Sequence, residues 1–469
     1  MVTLIPTLIA SYGILQKGTT EVTVYNQGLG FVKDVRNVKL AKGQQNVAIE
    51  DVAQLIDATS VGFKCLSNPG SVSVLEQNYQ YDLVSPEAIL QKSIGKKIRF
   101  TRTIGKTKDT VEGTLLSSPT SVVNTGKGSE YSYNGLVIKT DDGRIILSPQ
   151  GEIDVMEMPE GLISKPSLLW QVDSTEEQDA KMELSYLTQG MSWNANYVMT
   201  LGEKGVGDLQ GWVSLTNQSG VSFKDATLKL LAGDVNVMNT RTPADEADKL
   251  TFAWSTDAPK RTMSEQSLFE YHLYTLERPA TIRNKETKQL SLLEGANIPF
   301  KKEVAFDAFV TPGFETTATQ DLPSSVRVKF TNDEKSHLGM PMPAGKVRLY
   351  QRDSKGSVQF LGENQIQHTP RDEKLSLTVG KSFDIKATQK QTSYKMLSKH
   401  TSIATYEIEV RNRKQVAETV NVYEHFGNSW SITQKSSPYT KIDSNTALFE
   451  VALKAGEVKT MKVTIELKW

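Results

Sequence analysis

Period two dominates the chain. Near the C-terminus Met461, Val463, Ile465 and Leu467 alternate with Lys462, Thr464, Glu466 and Lys468. Successive strand side chains point to opposite faces, so such a run reads as a half-buried strand with one wet face. The same alternation sets Tyr406, Ile408 and Val410 against Glu407, Glu409 and Arg411. It sets Val326, Val328 and Phe330 against Arg327 and Lys329, and Met182, Leu184 and Tyr186 against Glu183 and Ser185. Turn formers punctuate these runs, as in Asp141-Asp142-Gly143 and Lys454-Ala455-Gly456-Glu457. Short alternating strands with frequent turn signals predict a mainly β protein built from sandwiches or barrels.

One helix is signalled. Ser85 supplies an N-cap, Pro86 the first helical position, Glu87 an early acid and Gly95 the stop, around Ala88, Ile89, Leu90 and Ile94. Strand-like runs follow at 97–103, 111–117, 135–140, 144–147 and 153–157. A short helix with about five short strands is the outline of a small SH3-like or Sm-like barrel, bounded at 80–164 with Pro159 and Pro166 at its exit. Before it, 1–79 reads as a small N-terminal β unit, with runs at 22–24, 31–38 and 47–49. After it, 165–469 reads as a C-terminal region of immunoglobulin-like β-sandwiches. Three strands there, at 212–217, 326–332 and 406–412, run into Asn217, Asn332 and Asn412 before a polar loop. Asn tolerates the dihedrals of such corners. A polar insertion at 234–268 reads as a long exposed loop or a disordered segment.

The 469 residues allow for roughly three domains. Lys+Arg and Asp+Glu each total 54, so the net charge is zero and no excess positive field recruits nucleic acid or an anionic membrane. Cys65 is the single cysteine, which excludes an intramolecular disulfide and a cysteine-based zinc site. In VGFKCLSN it reads as an inert thiol at a strand end. No stretch reaches the roughly 18–20 apolar residues of a spanning helix. The opening MVTLIPTLIASYGILQ carries no charge until Lys17. It reads either as the remnant of a secretion signal without a basic n-region or as a first buried strand.

Candidate chemistry is sparse. Gly28-Leu29-Gly30 runs into the strand-like FVKDV, whereas a dinucleotide fold needs a helix there, so it reads as a turn. His272, His337, His368, His400 and His425 form no HxH or HExxH pair, and no metal site or cofactor is expected. The densest polar cluster is Glu363, His368, Arg371, Asp372, Glu373 and Lys374. It pairs an imidazole with carboxylates for proton transfer, or it is a strand–turn–strand corner stitched by ion pairs. No nucleophile is anchored beside it, and no catalytic residue is assigned. Lys96, Lys97, Arg99, Arg102, Lys106 and Lys108 form the one basic run, an anionic-ligand candidate or a lysine-protected edge strand. Trp193, Trp212 and Trp430 read as core anchors, and Trp254, in the polar insertion, as the exposed one.

Several segments together resemble a known family. They are LSYLTQGMSWNANYVMTL (184–201), GWVSLTNQSGVSFKDATLKLLAGDVN (211–236), FEYHLYTLERPATIRNKETKQLSLL (269–293), PMPAGKVRLYQRD (341–353) and GENQIQHTPRDEKLSLTVGKSFDIKATQKQTSY (362–394). They look like the bacterial mucoidy-inhibitor-like proteins, whose C-terminal part is the domain of unknown function forty-one thirty-nine. The likeness covers roughly 20–469. It implies a β-rich, exported bacterial protein and supplies no reaction and no catalytic residues. Tyr271, His272, Glu363, His368 and Asp384 match family motifs, and with Trp254 all but Asp384 are the binding candidates. Family members typically begin with a clear signal peptide, which reads as missing or truncated here. The expectation is a non-enzymatic, extracytoplasmic β-sandwich protein with a binding or structural role in the cell envelope, meeting a protein or envelope-polymer partner. The alternatives are a hydrolase of an envelope polymer and an anionic-ligand or nucleic-acid binder acting through the small barrel.

Overall fold

The computed structural model describes residues 13–14, 16–104, 107–117, 120–125, 128–133, 135–147, 151–236, 263–310, 318–427 and 429–469. Of residues 13–14, 16–17, 102–104, 107, 120–125 and 128–133 only the backbone is described. The protein is mainly β, with several sheets, and Pro86–Lys92 is the single α-helix among the described residues. No helix among them is long and apolar enough to cross a membrane.

The helix forms as its sequence signals. Ser85 Oγ accepts from the Ala88 amide at 3.1 Å, Glu87 sits in the first turn and Gly95 follows at φ +80°. Beyond it lies an antiparallel five-stranded sheet in the order Ile145–Leu147, Val137–Thr140, Thr107–Leu115, Lys97–Ile104, Glu152–Val155. Its core is Ile98, Phe100, Leu115, Leu136 and Ile138, with Leu90 of the helix packed against it. A separate hairpin, Thr120–Thr125 with Gly128–Tyr133, joins this segment and was no part of the sequence reading. Its residues, TSVVNT and GSEYSY, lack the clean apolar alternation that marks a half-buried strand.

This unit interrupts a sheet. Val72–Gln80 and Ser167–Ser174 are antiparallel neighbours, and Ser167–Ser174 pairs on its other side with Gly43–Glu50. Leu29–Leu40 likewise pairs with Gln178–Gln189. Residues before 80 and after 165 therefore share ladders and one hydrophobic core. Within that core Asp34 and Arg36 are both 2% exposed. Arg36 grips the Asp34 carboxylate through Nε at 3.0 Å and Nη2 at 2.7 Å and donates from Nη1 to Glu50 O at 2.9 Å. Thr20 Oγ1 donates to the other carboxylate oxygen at 3.0 Å.

The polar insertion is shorter than the sequence predicts. Met263–Leu268 is an edge strand against Tyr271–Leu276, anchored by a buried Met263. Its remaining positions are mostly polar, as an edge strand permits, which hid it in the sequence. Trp254 and the rest of the insertion from 237 to 262 lie outside the described residues, as do residues 1–12 of the opening segment.

From residue 16 onward one arrangement recurs three times. A base strand pairs in parallel with a later return strand: Gln16–Tyr25 with Phe223–Ala232, Met191–Leu201 with Gly345–Arg352, and Lys301–Val310 with Glu418–Phe426. Between base and return runs a corner strand, which pairs with a closing strand. These pairs are Val206–Asn217 with Glu286–Pro299, Ser324–Thr331 with Lys374–Gly380, and Thr401–Asn412 with Val458–Lys468. Each corner strand also lies antiparallel to the base strand of the next unit, and Ile385–Ser398 takes that place at the end. The units are thus chained by shared strands. Valines, leucines and aromatics at alternate positions face shared cores between sheets, the last core joining Val304, Phe306, Val422 and Phe449 to Ile385, Ile408, Val463 and Ile465.

The three Asn corners are built alike, and all three side chains are fully buried. Asn217 Nδ2 donates to Val221 O at 2.9 Å and Ile282 O at 3.4 Å, while Oδ1 accepts from Ser219 N at 3.0 Å. Asn332 Nδ2 donates to Met340 O at 2.9 Å and Pro370 O at 3.0 Å, and Oδ1 accepts from Gly339 N at 3.1 Å. Asn412 Nδ2 donates to Val416 O and Lys454 O, both at 2.9 Å, and Oδ1 accepts from Lys414 N at 3.0 Å. One amide per corner satisfies backbone groups of two separate turns, which buried corners require. The facing turns match too: a left-handed residue, Lys285, Asp372 or Gly456, precedes Glu286, Glu373 or Glu457.

Candidate functional site

Three of the binding candidates lie near one rim. There the loop 341–345 is tied down by buried phenols: Tyr274 donates to Pro341 O at 2.9 Å and Tyr197 to Pro343 O at 2.8 Å. Burial pushes both phenols up, so each remains a hydrogen-bond donor at neutral pH. Trp193, buried as the sequence predicts, donates from Nε1 to Leu231 O at 3.2 Å. Tyr271 reaches Asp234 O at 3.4 Å, and its ring fills the space where a Cβ on Gly233 (φ +132°) would come within 2.4 Å of Cδ1. His272 Nδ1 meets Glu265 Oε1 at 2.7 Å.

His368 accepts from the Ala344 amide through Nδ1 at 3.2 Å, which leaves its Nε2 as the donor in the neutral ring. Burial holds this imidazole below its ordinary pKa; Asp234 opposes that and His272 adds to it. Both therefore act on His368 through space. The rim offers a neutral imidazole, a carboxylate-held imidazole and a phenol. Among the described residues no group of three or more His, Cys, Asp or Glu side chains is placed to hold a metal ion.

Beside this rim the hairpin tip projects Leu268 and Phe269. Phe269 is 89% exposed and sits at φ +56°, a left-handed conformation that is costly for a bulky side chain. The run SLFEYH carries no glycine or asparagine to mark this turn, so the sequence reading missed it.

Glu363 does not share a carboxylate pair. Its oxygens meet Lys346 at 3.3 Å and Arg348 at 3.6 Å, across the register of the Gly345–Arg352 and Val358–Ile366 strands. Arg371 bridges Glu334 at 3.0 Å and Asp372 at 3.7 Å. Residues 369–373 thus form the closing turn of the Asn332 corner, and the Glu363 and Asp372 carboxylates each meet a cation. Asp384 contributes its carbonyl, which accepts from Arg413 N at 2.9 Å.

Three cations of the basic run have acidic neighbours. Lys97 meets Asp141 at 2.9 Å, Arg99 meets Glu112 at 2.9 Å and Lys108 lies 3.9 Å from Glu152. Lys96 holds the sheet through its carbonyl, which accepts from Leu115 N at 3.1 Å. The Arg102 side chain and Lys106 lie outside the described residues.

One network escaped the sequence reading. On the outer face of the sheet holding Lys301–Val310, Glu303 receives Lys329 at 2.7 Å, Asn421 at 2.6 Å and Tyr423 at 2.9 Å. Burial pushes its carboxyl up, but these donors outweigh burial and hold it below its ordinary value. Asp307 takes Arg327 at 3.0 Å and His425 Nε2 at 3.0 Å, and His425 Nδ1 lies 3.3 Å from Thr446 Oγ1. The Phe309 ring stacks on His425 at 5.0 Å. Asp307 and His425 are 118 residues apart, so no local motif announces the pair.

No family model matches the chain, and no curated protein shows significant similarity to it.

Proposed function

We propose that the chain is a non-enzymatic, extracytoplasmic protein with a binding or structural role in the bacterial cell envelope, of the mucoidy-inhibitor-like kind its motifs resemble. On this reading the unit around the helix is an SH3-like or Sm-like barrel, and the Asn-cornered units are immunoglobulin-like sandwiches. The observation that carries the reading is the Leu268–Phe269 tip. A strained, exposed aromatic on a rigid hairpin, next to the Tyr271–His272–His368 rim, suits contact with a protein or envelope polymer. The ion pairs of Glu363 with Lys346 and Arg348, and of Asp372 with Arg371, support the same side, since they give these carboxylates a structural task within the corner. The ion pairs of Lys97 and Arg99 count against an anionic ligand at those two residues.

The purified chain is expected to co-sediment with bacterial envelope preparations, and Phe269→Asp to abolish this while its denaturant midpoint does not fall, since Asp tolerates the left-handed conformation better than Phe. Undiminished co-sedimentation of the variant removes the tip from the contact.

A hydrolase reading has one observation in its favour, the hydroxyl–imidazole–carboxylate chain Thr446–His425–Asp307. If it operates, turnover of envelope polymers disappears in His425→Ala. Turnover that survives in that variant removes this reading.

A further inference from the structure

The last repeat carries an acid where the other two carry leucine. Counting inward positions along the return strands gives Ala226, Leu228, Leu230 in the first, Gly345, Val347, Leu349 in the second and Val420, Val422, Glu424 in the third. These third positions pair with Val24, Met199 and Ala308 of their base strands. The architecture therefore accepts leucine there, and Glu424 is not needed to build it.

Glu424 is completely buried between the two sheets of the last sandwich. Its neighbours within its own sheet are Ala308 and Ala447, which offer no polar group. From the facing sheet, Ile385–Ser398 contributes Gln389, whose single Nε2 serves both carboxyl oxygens at 3.3 Å. The same strand contributes Gln391, whose Nε2 donates to the Tyr406 phenol of Thr401–Asn412 at 3.0 Å. Tyr406 faces this core, and Tyr394 and Tyr439 pack against it; burial raises the Tyr406 phenol, Gln391 opposes that, and Glu424 and Tyr394 add to the rise, so it stays neutral. One amide is too little to hold a buried carboxylate, whose desolvation is costly.

We propose that Glu424 is a proton-operated latch of the last sandwich: with its proton on, the two sheets stay closed, and its loss to solvent opens this sandwich ahead of the rest of the molecule. Burial drives the carboxyl up to about 8 from an ordinary value near 4.5, with Gln389 pulling weakly downward. The closed form therefore keeps its proton where the opened form releases it. Closure is strongest below the ordinary value and weakens through the window up to about 8.

Hydrogen exchange on the full chain, corrected for intrinsic rates, tests this. The opening constant of strands Ile385–Ser398, Thr401–Asn412 and Glu418–Phe426 is expected to rise about tenfold per pH unit from roughly pH 5, about a thousandfold in all by pH 8. Phe223–Ala232, the return strand of the first unit, and Met191–Leu201, the base strand of the second, should stay flat. Glu424→Leu, the residue of the other repeats, and Glu424→Gln, the neutral isostere, should both erase the slope. Either variant suffices should the other not fold. A flat wild-type profile, or a slope that persists in a folded variant, overturns the latch.

Discussion

Arg36→Met is expected to cost about 3–5 kcal/mol of unfolding free energy, because it strands the Asp34 carboxylate in an apolar core. Arg36 supplies two of the donors to that carboxylate and also satisfies Glu50 O; Thr20 alone would remain on Asp34. The pair itself is not the source of the loss. Two charges taken out of water roughly cancel their attraction, so the double change Asp34→Leu with Arg36→Met should recover most of the stability. Urea midpoints of the wild type and the two variants decide it. A single-variant loss no larger than that of an exposed pair, about 1 kcal/mol or less, would contradict the account.

Asn217→Ala, Asn332→Ala and Asn412→Ala are each expected to cost about 2–4 kcal/mol, since each leaves two carbonyls and one amide of buried turns without a partner. Asn412→Asp should be no milder, because a carboxylate cannot donate to Val416 O and Lys454 O. Location separates the three. Hydrogen-exchange protection should fall in the first unit for Asn217 and in the last sandwich for Asn412, leaving the other in place. Equal loss everywhere in each variant would mean that the chained units unfold as one, and the corners would not be local clamps.

Much of this was legible in the sequence, for physical reasons that also set the limit. Met461–Leu467 and Tyr406–Val410 alternate cleanly because one face is wet, and Ser85, Pro86 and Gly95 mark the helix through backbone chemistry that acts within a few residues. Asn217, Asn332 and Asn412 were visible as strand ends. Their clamping role was not, because Ile282, Pro370 and Lys454 arrive from 65, 38 and 42 residues away. The repeat was hidden for a related reason: neighbouring units share strands, so no fixed period separates their corners. Glu424 sits in the inward phase of VNVYEHF, and parity alone distinguishes it from the outward His425. Asp34 and Arg36 break the apolar phase of FVKDVRNVKL in the same way, which made that strand recognisable and its polar core invisible.

At the candidate site the sequence named Tyr271, His272 and His368 without showing that separate strands gather them. Electrostatic action of His272 and Asp234 on His368 is a property of the folded rim alone. Phe269 was missed because its turn adopts a conformation its residue type disfavours.

The claim that the chain works by contact, not turnover, is tested most directly by in-cell crosslinking with envelope fractionation and mass spectrometry in the native organism. The account predicts a stoichiometric envelope partner whose crosslinks gather on Met263–Leu268 and Tyr271–Leu276. Recovery of a partnerless protein away from the envelope would contradict it.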